Sequence, residues 1–216
     1  MRLFGYSLAT IASIALLVAA WGHQVEFKFN EAAADVAGGW CVWLTVKKNI
    51  WNWPIGILSS GYFFALFLQS RLFADMSLQG VYIVLGFLGW YWWLHGGDNK
   101  AQLPVSKTPL SMAIAIAVIV AVSTAAVTVY MRSVNDSAPF LDALTTTLSL
   151  AGQFLLTKKL IENWYVWITA DIIYVGLYLN KHLYLTSGLY AVFIVMCIAG
   201  LRAWRLSMSQ AEVVRA

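Results

Sequence analysis

Two short stretches decide how this chain is read: Lys47-Lys48-Asn49-Ile50-Trp51-Asn52-Trp53 and Lys158-Lys159-Leu160-Ile161-Glu162-Asn163-Trp164. They share the paired lysines, the isoleucine and the Asn-Trp pair. The match then runs on without a gap, with Ile83-Val84 against Ile194-Val195, Gly89 against Gly200 and Trp93 against Trp204. Aromatic rings replace aromatic rings at Phe63/Tyr174, Phe67/Tyr178 and Phe73/Tyr184. Similarity between apolar segments scatters leucines. It does not hold two lysines, an Asn-Trp pair and a closing glycine and tryptophan at one constant offset of 111 residues. The chain is internally duplicated.

Working outward, 61% of the residues are hydrophobic, 11% are charged and the mean hydropathy is +0.71. An ordinary soluble domain is nearer half apolar and a quarter charged, so this composition belongs in a bilayer. The length leaves room for about eight spanning helices of roughly 20 residues each and for no soluble catalytic or nucleotide-binding domain. Hydropathy places spans at about 3–22, 33–47, 50–70, 76–96, 109–131, 138–157, 162–180 and 183–205. The first begins with Arg2 and lacks a small-residue cleavage site, so it reads as a helix and not as a signal peptide. The second and sixth spans carry Asp35 with Gly38-Gly39 and Asp142 with Thr145-Thr146-Thr147 and Gln153. Such polar, small-residue helices face other helices or a water-filled cavity.

The expected architecture is an all-α integral membrane protein. A leading helix (1–24) precedes a three-helix repeat (33–96), a linker and connector helix (97–132), a second three-helix repeat (137–206) and a cytoplasmic tail (207–216). Four helices separate a position from its copy, so the two repeats enter the membrane in the same direction. Arg2, Lys47, Lys48, Lys100, Lys107, Lys158, Lys159, Arg202, Arg205 and Arg215 fall on the side of the N-terminus, against Lys28, Arg71, Arg132 and Lys181 opposite. The positive-inside rule then makes both termini cytoplasmic. The net charge of +4 follows from topology and anionic lipid, without nucleic acid.

The chemistry concentrates in the seventh span. Trp164, Trp167, Asp171, Tyr174 and Tyr178 recur at intervals of three and four and share one helix face. Asp171 lies near mid-bilayer, where an acid costs about 2.5–3.5 kcal/mol on insertion scales and demands a partner. Gln153, Gln79 or Asn52 could supply it by hydrogen bonding, or a cationic ligand could. Aromatic faces beside one carboxylate suit a planar cationic heterocycle. The copy carries Ser60 and Gly56 where Asp171 and Trp167 stand, so the site is expected to be asymmetric, with Asn52 and Trp53 closing it from the first half. Trp204, Trp43 and the run Trp90 to Trp93 read as interface anchors. Pro54 reads first as a helix-start residue, with a hinge as the alternative. His23, His95 and His182 stand apart at helix ends, and Cys41 and Cys197 read as small packing residues, so no metal, redox or cofactor site is indicated.

The run Trp51-Asn52-Trp53-Pro54-Ile55-Gly56, the run Glu162-Asn163-Trp164-Tyr165-Val166-Trp167 and the segment Lys181 to Tyr190 resemble the bacterial nicotinamide riboside transporter PnuC family. The resemblance spans roughly residues 33 to 206. It implies a SWEET-like bundle of three, one and three helices and a homotrimer in the cytoplasmic membrane. It also implies facilitated diffusion of a precursor for NAD biosynthesis, trapped by cytoplasmic phosphorylation. It carries substrate contact over to Asn163, Trp164 and Trp167, with Asn52 and Trp53 from the other half and Asp171 and Tyr174 beside them. The resemblance leaves the substrate open among nicotinamide riboside, thiamine and riboflavin; nicotinamide riboside is the first reading and thiamine, which shares its flat cationic ring, the second, with riboflavin after it. A membrane-integral enzyme resting on Asp171 is the remoter reading.

Overall fold

The computed structural model of the chain describes residues 29–135 and 137–215; the expected leading helix lies outside them. Within these residues seven α-helices follow in order: α1 (Phe29–Val46), α2 (Asn52–Gln69), α3 (Phe73–His95), α4 (Leu110–Ser133), α5 (Pro139–Thr157), α6 (Asn163–Asn180) and α7 (Tyr184–Arg215). One 3-10 turn, Asp98–Lys100, interrupts the linker between α3 and α4. The helices fall where hydropathy places spans. The exception is α7, which runs on through the stretch expected as a tail. Among the described residues two helical segments, Leu110–Ser133 and Thr186–Gln210, are by length and composition long and apolar enough to cross a membrane.

The helix ends repeat at the same offset as the sequence. Lys48 and Lys159 take left-handed φ of 56° and 55° after α1 and α5, and Arg71 and His182 both take φ 57° after α2 and α6. A left-handed residue past the last turn lets the following amides satisfy the final carbonyls. Accordingly Asn49 N donates to Leu44 O at 2.9 Å and Leu160 N to Leu155 O at 3.0 Å. Pro139 opens α5 at its first position, where no amide hydrogen is needed.

Helices α1, α2 and α3 pack in sequence, as do α5, α6 and α7, and α4 rests on α5. Two contacts join the groups: α1 against α7 and α3 against α5. The first helix of each group thus meets the last of the other. The joint is reciprocal to the atom. Trp93 Nε1 donates to Leu156 O and Trp204 Nε1 donates to Thr45 O, both at 3.1 Å, and Thr45 and Leu156 are themselves copies of one another. Helix α5 buries Ala143, Thr145, Thr147, Ser149, Gly152 and Leu155–Thr157, as expected for a small-residue helix facing its neighbours.

The core sits at this joint. Trp53, Trp93, Trp204 and Trp164 form an edge-to-face chain with centroids 5.3, 5.9 and 5.4 Å apart, each at most 3% exposed. Two glycines make room for it: a Cβ on Gly89 would overlap the Trp53 ring and one on Gly200 the Trp164 ring. Helix association within lipid rests on such close packing. Trp93 and Trp204, expected as interface anchors, are instead buried here, because their indole N–H groups find backbone carbonyls across the joint.

Candidate functional site

Asn52-Trp53 and Asn163-Trp164 occupy the first turns of α2 and α6, and Pro54 falls inside the same turn, where its missing amide hydrogen costs nothing. Asn52 and Asn163 are 1% and 0% exposed. Each uses its amide group locally: Asn52 Nδ2 donates to Thr45 Oγ1 at 3.2 Å and Asn163 Nδ2 to Leu160 O at 2.5 Å. Among the described residues their Oδ1 atoms have no hydrogen-bond partner, and neither do the indole Nε1 atoms of Trp53 and Trp164. An unsatisfied buried polar group costs about 1–3 kcal/mol, so four at duplicated positions call for a reason. Two acceptors and two donors beside indole rings can complete the hydrogen bonds of a small ligand bearing hydroxyl or amide groups.

Deeper along α6 the two halves part. Trp167 lies over Gly152, where a Cβ would come within 3.0 Å of its ring. The copies of these residues are Gly56 and Cys41, and a Cβ on Gly56 would lie 3.3 Å from Cys41 Sγ. Large and small have changed places, so the indole exists in the second half only. Asp171, about 12 Å beyond Asn163 at helical rise, is 4% exposed and its Oδ2 accepts the Cys197 thiol at 3.7 Å. Its partner is therefore Cys197, not Gln153, Gln79 or Asn52, which the sequence offered. Tyr174, Tyr178 and Tyr190 follow as a stack with centroids 4.6–5.9 Å apart, matched in the first half by the stacked pair Phe63 and Phe67 at 5.9 Å.

The structure sets Trp53 and Trp164 at the two ends of one indole chain, linked through Trp93 and Trp204, each with its own asparagine beside it in the first turn of α2 or α6; Trp167 packs against the same core, and Cys197, bonded to Asp171, belongs to it. Tyr174 belongs to the tyrosine stack. Gln153 and Gln79 are half-buried on α5 and α3, and neither is bonded to the carboxylate. Sequence reasoning missed Gly152, Thr45 and Cys197. The first was legible, since the offset that pairs Trp167 with Gly56 also pairs Gly152 with Cys41. A largely apolar cleft of about 670 Å³ lies between α4, α5 and α6, lined by residues such as Ala117, Ala121, Leu148 and Val166, with Thr108, Thr124 and Glu162 as its polar members.

The loops beside the Asn-Trp pairs are basic. Lys159 is 6% exposed, donates to Leu103 O at 2.7 Å and lies 4.4 Å over the Trp93 ring. Burial, then the neighbouring Lys48, push its ammonium down to about 8. Lys158 stands 3.4 Å over Trp92.

Composition, helices and duplicated core define an all-helical membrane protein. Comparison with known proteins narrows that class. The sequence profile of the family described as nicotinamide mononucleotide transporter matches residues 28–206, and the chain belongs to that family. It is therefore a membrane transporter and not an enzyme. It is similar to the nicotinamide riboside transporter PnuC of Escherichia coli, 26% identical over 205 residues that cover 83% of this chain and 86% of that protein. It is also similar to the riboflavin/roseoflavin transporter RibM of Streptomyces davaonensis, 24% identical over 182 residues, 82% of this chain and 85% of that one. Its fold resembles the crystal structure of the vitamin B3 transporter PnuC with a TM-score of 0.68 at 18% identity, covering 94% of this chain and 92% of the other.

Proposed function

We propose that this protein carries nicotinamide riboside across the bacterial cytoplasmic membrane by facilitated diffusion, with phosphorylation in the cytoplasm preventing return. The observation that carries the reading is the set of four unpartnered buried atoms, Asn52 Oδ1, Trp53 Nε1, Asn163 Oδ1 and Trp164 Nε1. A riboside supplies hydroxyls and a carboxamide to such atoms, and its flat cationic ring gains about 0.5–2 kcal/mol from an aromatic face such as Trp167. Asp171 offsets the charge, Tyr174 extends the aromatic wall, and Gln153 and Gln79 border the passage from α5 and α3. The relatives named for nicotinamide riboside support the same substrate.

The arrangement that serves this is a leading helix and a SWEET-like bundle of three, one and three helices with parallel repeats, multi-pass, both termini cytoplasmic, assembled as a homotrimer in lipid. The reciprocal Trp93 and Trp204 bonds support a two-fold relation between the repeats. Riboflavin is the second reading, favoured by the similarity to the riboflavin/roseoflavin transporter; thiamine, another flat cation, is the third. Calorimetric titration of the purified protein with all three ligands decides among them. Tight binding of nicotinamide riboside with an affinity at least tenfold lost in Trp167→Ala supports the proposal; preference for riboflavin or thiamine, or an unchanged affinity in the variant, defeats it.

A further inference from the structure

The two loops that precede the Asn-Trp pairs are copies in sequence and conformation, yet among the described residues only one is bonded to the linker. Ser106 of the linker forms a parallel bridge with Leu160: Ser106 N donates to Lys159 O at 3.3 Å and Ile161 N donates to Ser106 O at 2.9 Å. Thr108 donates both its amide (2.8 Å) and its hydroxyl (2.6 Å) to Glu162 Oε2. Leu103 closes the other end, its amide donating to Trp93 O at 3.1 Å while its carbonyl accepts Lys159 Nζ. The linker is thereby sewn to the last turn of α3 and to loop 158–162 together. Charge-assisted bonds shielded from water are the ones costly to break.

Among the described residues, loop 47–51 has none of this. Lys48, the copy of Lys159, is exposed, and Trp51, the copy of Glu162, is 63% exposed. The backbone hydrogen bonds of residues 47–51 among the described residues reach only their own surroundings, such as Lys48 N to Thr45 O and Trp51 N to Asn49 Oδ1. Two copies of one loop therefore differ in what their displacement would break.

We propose that the linker clamps loop 158–162 and α3 into one rigid unit, so that on this face of the protein the path is opened by loop 47–51 alone, with Lys159 and Glu162 as positioning residues that hold Asn163 and Trp164 in register. The inference rests on the transport reading and adds which half moves. The chemistry fits: a site built from two unlike halves keeps its ligand-orienting half fixed while the less encumbered half gives way.

The test is a reversible staple. Ser106→Cys with Leu160→Cys places a disulfide across the bridge in the full chain, and uptake of nicotinamide riboside into proteoliposomes is compared in oxidised and reduced samples of the same protein. The staple is expected to leave uptake within twofold; a tenfold loss on oxidation, restored by reductant, overturns the proposal. Glu162→Ala is expected to weaken nicotinamide riboside binding at least fivefold, and oxidising the staple in that background to restore it. An affinity that stays low with the staple closed, or one that never fell, overturns the positioning role. Should Glu162→Ala fail to fold, amide exchange in the unmodified protein decides: substrate is expected to change exchange at Asn49 and to leave Ile161 unchanged, and the reverse pattern refutes the clamp. Absence of binding and uptake in the unmodified protein would instead defeat the transport reading.

Discussion

At Trp164 and Trp93 the same side chain faces opposite circumstances. Both indoles are buried in one edge-to-face chain, but Trp93 Nε1 is bonded to Leu156 O and Trp164 Nε1 to nothing. Removing either indole costs packing, but removing a bonded donor also strands its acceptor, whereas removing an unbonded one withdraws a hydrogen bond only from a ligand that would have used it. Trp93→Phe is therefore expected to lower stability by about 1–3 kcal/mol, seen in thermal unfolding in detergent. Trp164→Phe, which empties volume in the same core but strands no carbonyl, is expected to destabilise less than Trp93→Phe in the same melts and to weaken nicotinamide riboside binding by about tenfold, or roughly 1.4 kcal/mol, seen by calorimetry. Equal melting losses in both variants with unchanged affinity would make the Asn-Trp pairs packing alone. The residue types of this site were legible, because intramembrane polar groups at a repeated spacing stand out. Which of their atoms lack partners was not, since that depends on the carbonyls each indole meets across the joint.

Between elements, packing turns on glycine. Gly89 on α3 and Gly200 on α7 each let a tryptophan of the preceding helix lie against backbone. Adding one methyl forces the ring or the helix to shift, which costs about 1–3 kcal/mol in a filled core. Gly89→Ala and Gly200→Ala are expected to destabilise by similar amounts in detergent melts, because their surroundings are copies; a loss confined to one would show that the equivalence stops at the backbone. The helices themselves were readable from hydropathy, and even the polar α1 and α5 formed where expected. The extent of α7 was not, since Arg202 and Arg205 end an apolar run without ending a helix. Arg205, on the same helix as Gly200, donates to the Tyr165 hydroxyl and stands 5.7 Å from its ring.

For the whole molecule, the duplication yields two halves that share a core and differ in what they offer a ligand. Asp171 is the one acid that the sequence places near mid-span, and no nucleotide-binding motif accompanies it. Concentrating a substrate requires ATP or a coupling ion, and the sequence offers no nucleotide motif and no second mid-span charge beside Asp171. Uptake into proteoliposomes is thus expected to proceed without sodium, proton or ATP and to stop when inner and outer nicotinamide riboside are equal. Accumulation of unmodified substrate against its gradient under an imposed ion gradient would refute this.

The sequence by itself determined the helical membrane character, the repeat and the residues that carry chemistry, because hydropathy, constant offset and Asn-Trp identity are properties of order along the chain. Only the tertiary structure decided that Trp93 and Trp204 belong to the core, that Asp171 pairs with Cys197 and that the linker grips one loop of two. Each of these is a contact between residues far apart in the chain, and a buried polar group chooses its partner by geometry that spacing alone does not encode.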